Sequence, residues 1–145
     1  MVISLLNERT FYIFKINKIF TTLYDNKSYN LYNFLKNINK SRKLNLNDKY
    51  KIYNKIIKKI DNEKISKAIY AYHLKDVYYK KINNIHYIVN KRENSEFYIY
   101  NSYIKIKFKG NFCSFIEDLK KINEDLFIVD FKNDDYFFIK NLILK

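Results

Sequence analysis

One glycine and no proline in 145 residues is the tightest constraint on what this chain can fold into. Glycine marks turns by reaching positive φ at no steric cost, and proline by fixing φ and removing a donor. Without them, Asn, Asp and Ser must mark the boundaries between elements. A glycine-rich loop cradling phosphate is also excluded, because Gly110 stands alone. Its setting is "YIKIKFKGNFCSFIEDLKKINEDLFIVDF", residues 103–131. Upstream, Ile104, Ile106 and Phe108 alternate with Tyr103, Lys105 and Lys107, the period of a half-buried antiparallel strand. Downstream, Phe112, Phe115, Ile116, Leu119 and Ile122 fall on one face of a helix, and Asn111 is its expected cap. Glu117 and Asp118 precede Lys120 and Lys121, the order the helix dipole favours. A strand that enters a helix with no linker needs positive φ or a close backbone approach at the joint. Gly110 is therefore expected to be a structural glycine.

The remaining elements follow from period. "DLFIVDF" reads as a strand, "KNDD" as a turn, and "YFFIKNLILK" as the return arm of a hairpin. "VYYKKINNIHYIVN" and "EFYIYNSYIKIKFK" read as two strands, parted at "KRENS". Ahead of them Ile52, Tyr53, Ile56, Ile57 and Ile60 form an apolar stripe with Lys on the other faces and Asp48 as cap. Asp61-Asn62-Glu63 interrupts it, and Ile65, Ile69 and Tyr72 resume it, so one bent helix or two consecutive helices would fit. "SYNLYNFLKNINK" has helical spacing, "SRKLNLND" is the expected linker, and "TFYIFKINKIF" is too short an apolar run to separate strand from helix. The expected organisation is a mainly helical N-terminal segment over 1–47, then a helix plus an α+β domain over 48–145.

The formal charge of +13 first suggests an anionic partner. Nearly all of it is lysine, however, and Arg9, Arg42 and Arg92 are the only arginines. Lys, Asn, Ile, Tyr and Phe dominate the chain, and all five have AT-rich codons, so genome composition accounts for much of the charge. Cys113 is the only cysteine and has no partner for a disulfide; it reads as a half-buried packing residue rather than a nucleophile. The opening "MVISLLNERTFYIFKINKIF" is broken by Glu8, Arg9, Lys15 and Lys18, too early for a span of about 18 apolar residues. It also lacks the order of a signal peptide. His73 and His86 have no metal-ligand spacing, and Asp134-Asp135 and Glu117-Asp118 are adjacent pairs without a catalytic companion. The expectation is a non-enzyme with no cofactor and no metal.

With a helix over residues 63 to 74 in front, the order of elements becomes α-β-β-α-β-β, a permuted ferredoxin-like sandwich with its helices on one face. That order resembles the assembly-platform domains of the PilO, PilN and GspM type, from type IV pilus, type II secretion and DNA-uptake (competence) systems. Their pattern of strand, glycine, nearby aromatic, helix with an apolar face and strand is met by Gly110, Phe112, Phe115, Ile116, Leu119 and Leu126 to Phe131. The resemblance implies an assembly scaffold at the periplasmic side of the inner membrane. It would work by protein-protein association with membrane-associated assembly proteins and with a homologous or identical domain, as a dimer. The expected interaction surfaces are a sheet edge or the stripe of Ile52, Ile56 and Ile60; folding of Phe11 to Ile38 over that stripe is the competing expectation. A second functional class is a basic nucleic-acid-binding protein, such as an organellar ribosomal protein. It would use Tyr98, Tyr100, Tyr103, Lys105 and Lys107 as a basic-aromatic face for RNA.

Overall fold

A computed structural model, which describes residues 8–40, 46–123 and 125–142, has eight strands and five helices among those residues. In chain order they are β1 (Arg9–Ile16), α1 (Lys18–Leu23), α2 (Ser28–Lys40), α3 (Leu46–Ile56), β2 (Ile57–Lys58) and α4 (Asn62–Tyr72). Then come β3 (Tyr79–Ile82), β4 (Ile85–Val89), β5 (Glu93–Ile99), β6 (Ile104–Gly110), α5 (Ser114–Ile122), β7 (Leu126–Asp130) and β8 (Asp135–Phe138). A short 3-10 turn over Ile139–Asn141 follows. The strands form one antiparallel sheet in the order β3-β4-β5-β6-β1-β7-β8, with β2 paired to the end of β1.

The α+β class and the antiparallel sheet stand, but the fold is not a simple ferredoxin-like sandwich. β1 comes from the segment read as mainly helical, yet it lies between β6 and β7 and pairs with both. Because it is antiparallel to each, β6 and β7 are parallel to one another, and α5 crosses over the inserted strand. The helices also occupy both faces. α4 and α5 cover one side, where Ile65, Ile69, Phe115 and Leu119 pack on Ile13, Phe97, Ile106 and Ile128. α2 and α3 cover the other, where Leu31, Leu35 and Ile56 pack on Phe14, Ile16, Phe127 and Val129. The cover on this second face extends over β1, β7 and β8 and stops short of β3 to β6.

Two runs read as single strands are hairpins. "VYYKKINNIHYIVN" turns at Asn83 and Asn84, whose φ values are 50° and 66°. Asn tolerates the left-handed region, so a two-residue turn forms here without glycine. "EFYIYNSYIKIKFK" turns between Ile99 and Ile104, where the Tyr100 N–H donates to the Tyr103 carbonyl at 2.9 Å. Glu93–Ser95, expected in a turn, belong to β5, and the bend is at Asn90, whose side chain accepts from the Arg92 and Glu93 N–H groups. Between α3 and α4 the chain breaks into β2, so the two-helix alternative is the one observed. The linker expected at residues 41–48 lies largely outside the described residues.

Gly110 sits at the strand-to-helix joint with φ +127°. A Cβ there would lie 2.3 Å from the Arg92 carbonyl oxygen and 3.0 Å from the Glu93 Cα. Both reasons for a glycine apply: backbone conformation and close approach across the β5–β6 pair. Asn111 does not cap α5. The buried Glu93 carboxylate does so from the neighbouring strand, accepting from the Ser114 N–H at 3.1 Å, the Ser114 hydroxyl and the Ser95 hydroxyl. A negative charge at a helix N-terminus is favoured by the exposed N–H groups and the dipole.

Candidate functional site

Where the cover of α2 and α3 ends, the second face opens into a cleft of about 290 Å³. Tyr12 and Phe14 reach it from β1, because alternate residues of that strand point away from the α4–α5 face. Leu35 and Ile38 enter from α2, and Tyr50 and Tyr53 from α3, each pair spaced so that it shares one helix face. Ser102 and Tyr103 close one end from the β5–β6 turn, and Phe131 the other from the end of β7. The rings make a connected floor: Tyr12 lies 5.7 Å from Tyr103 and 5.6 Å from Phe131 between centroids, and Phe14 lies 6.1 Å from Tyr103.

Two phenols of the cleft, Tyr53 and Tyr103, remain protonated donors at neutral pH. Burial, then the neighbouring Tyr103 and Tyr50, push Tyr53 up to about 12, and burial followed by Tyr100 and Tyr12 raises Tyr103. These rings present an apolar body and a hydroxyl tip. Tyr50 is 49% exposed at the rim.

The expected stripe of Ile52, Ile56 and Ile60 is not one surface. Ile52 is 49% exposed on α3, Ile56 is buried in the α2–α3 cluster, and Ile60 is buried in the cluster on the opposite face. The helix ends at Ile56, and β2 carries the chain across to the other side of the sheet. The segment from Phe11 to Ile38 does cover Ile56, through Phe14, Leu31 and Leu35. Tyr98, Tyr100, Tyr103, Lys105 and Lys107 do share a face, the uncovered half of the sheet. Tyr98 and Tyr100 stack at 6.5 Å and 2°, and the Lys105 ammonium lies 5.0 Å from the Tyr98 ring. Sequence reading missed the cleft itself. Its lining comes from five separate stretches, and the one local signal was the aromatic density of "TFYIF" in the unassigned strand.

The titratable groups of the α4–α5 face are internally satisfied. His73 bonds Asp118 and lies 3.6 Å from Asp76, while the His86 ring nitrogens meet the Ser66 hydroxyl at 3.1 Å and the Tyr79 hydroxyl at 2.7 Å. Cys113 is pushed up to about 12, chiefly by burial, so its thiol stays protonated. Among the described residues no group of His, Cys, Asp and Glu could hold a metal ion, and no helix is long and apolar enough to cross a membrane.

A protein-family model described as SirA, sporulation inhibitor of replication protein SirA, matches residues 9–142. No curated protein matches the chain. The family match overturns the resemblance to PilO, PilN and GspM, and with it the scaffold role in pilus, secretion or competence assemblies. The organellar ribosomal alternative gains no support either. The misleading pattern was the strand–glycine–helix–strand joint. Here it records the approach of Gly110 to Arg92 in a crossover, a need that unrelated sheets share.

Proposed function

The chain belongs to the SirA family, and from that premise we propose that it inhibits replication during sporulation by binding a protein of the replication machinery. It acts without catalysis, and the cleft between α2, α3 and the sheet is the binding site. The observation that carries this reading is the cleft's construction. Six aromatic rings line a solvent-open hollow where the helical cover of α2 and α3 over the sheet stops. Burial of such rings against a partner supplies most of the energy of a typical protein interface.

Induced expression in growing cells of a sporulating bacterium tests the proposal. DNA content per cell should fall when the unaltered chain is made, and should not fall with Tyr50→Ala, a rim substitution outside the core. Unchanged DNA content with well-expressed, folded wild-type protein would refute the reading. A second copy of the chain is a further proposed partner, through the edge strand β3, and sedimentation of the purified protein at tens of micromolar would reveal the dimer.

A further inference from the structure

Tyr12 and Phe131 wall the aromatic cleft on one side and a second hollow, of about 480 Å³, on the other. Glu8, Thr10, Lys105, Lys107 and Lys132 complete that second hollow. The two hollows therefore adjoin, one apolar beneath helices and one basic on the open half of the sheet. Lys105 and Lys107 leave β6 on the same face, about 7 Å apart along the strand, since alternate residues are two rises apart. Lys132 comes from the β7–β8 turn. Arg9, Lys36 and Lys140 all pair with carboxylates, whereas Lys105, Lys107 and Lys132 make no ion pair among the described residues. Three ammonium groups around one hollow repel each other, and an incoming carboxylate relieves that repulsion.

We infer that the partner is acidic at the point of contact: a protein segment that seats an apolar side chain in the cleft and a neighbouring carboxylate among Lys105, Lys107 and Lys132. This rests on the protein-binding reading and adds the chemistry of the partner. A protein carboxylate fits better than a run of phosphates. Glu8 lies in the basic hollow, and Glu96 is opposite Lys107 across the β5–β6 pair, so a polyanion would meet two fixed negative charges. The face's rings already make contacts, Tyr98 and Tyr100 with each other and Tyr98 with Lys105, and a stacked base would compete with them.

The experiment uses the full chain, nuclear magnetic resonance titration, and two short synthetic peptides. One has Leu-Phe followed by a single glutamate, and its twin carries a glutamine there. The acidic peptide should bind roughly tenfold more tightly, the worth of one charge-assisted contact. It should shift signals of Lys105, Lys107 and Lys132 together with the rings of Tyr50 and Tyr53. Lys105→Gln combined with Lys107→Gln should erase the preference, and added salt should shrink it. Glu8→Gln removes the hollow's own carboxylate and should tighten acidic-peptide binding, a gain that misfolding does not mimic. Equal binding of the two peptides, no binding of either, or a Glu8→Gln variant no tighter than wild type would overturn the inference. A single-stranded DNA oligonucleotide that displaces the acidic peptide from these lysines would also overturn it, in favour of a nucleic acid. In cells the two readings separate. A lysine double variant that still lowers DNA content, beside a Tyr50→Ala variant that does not, would sink the acidic contact and leave the proposed function standing.

Discussion

β7 and β6 are near neighbours in one sheet, each one strand away from β1, yet they differ in character. All five residues of β7, Leu126–Asp130, are buried, whereas β6 alternates buried Ile104, Ile106 and Phe108 with half-exposed Lys105 and Lys107 and exposed Lys109. The difference is cover. β7 has α5 and its neighbours on one side and α2 and α3 on the other, while β6 is covered only on the α4–α5 side. A strand buried on both faces reads as a continuous apolar run, and a strand with one wet face alternates. The boundary between these two regimes is where the aromatic cleft opens. The proposed binding surface is sheet left uncovered beside sheet that is covered.

The largest expected effect breaks the doubly covered half. Phe127→Ala empties a fully buried site between β7 and the α2–α3 pair, and should cost about 3–5 kcal/mol in urea denaturation. Tyr98→Ala on the open half should cost less than about 1 kcal/mol, since it removes a partly exposed cross-strand contact. Similar losses at the two sites would mean that the two halves are not covered differently.

Gly110→Val comes next, because its strain acts at the seam between the open strand and its helix. With φ at +127° and a Cβ forced to 2.3 Å from the Arg92 carbonyl, the variant should lose about 1–3 kcal/mol or more. An unchanged melting temperature would show that the β5–β6 pair yields easily and that the approach is not a constraint.

A last test sharpens the comparison through pH, since the two histidines lie only on the α4–α5 face. His86 is held down to about 4, chiefly by burial and then by Lys81 and His73, against an ordinary value of 6.5. The unfolded chain therefore binds that proton more readily, and stability should rise with pH between about 4 and 6.5. His73 moves the other way. Its hydrogen bond to Asp118 raises its pKa against an opposing burial effect, with the charges of Asp118 and Asp76 adding to the rise. Its contribution is full below 6.5 and is lost as the pH climbs through the raised folded value. The combined contribution of the two histidines should therefore be greatest near the ordinary histidine value of 6.5. His73→Gln should remove the alkaline fall, and His86→Gln should flatten the acid limb. A urea midpoint that does not move with pH across this range would contradict both assignments.

Local pattern determined much of this protein without reference to the rest of the chain. The 3.6-residue period marked the helices that became α2, α4 and α5, and alternation marked β6. Gly110, alone among residues that could have offered positive φ cheaply, announced a strained joint. Asn83-Asn84 held a hairpin signal as well, hidden because asparagine is common throughout the chain and only its backbone conformation reveals the turn. Other features were decided only in three dimensions. Nothing local in "TFYIF" chooses strand over helix; β1 became a strand by pairing with β6 and β7, over a hundred residues away for β7. The division of Ile56 and Ile60 between opposite cores, and the adjoining aromatic and basic hollows, follow from that insertion. Periodicity records that a face is buried, but the partner that buries it, and the place where its cover runs out, are set by long-range packing.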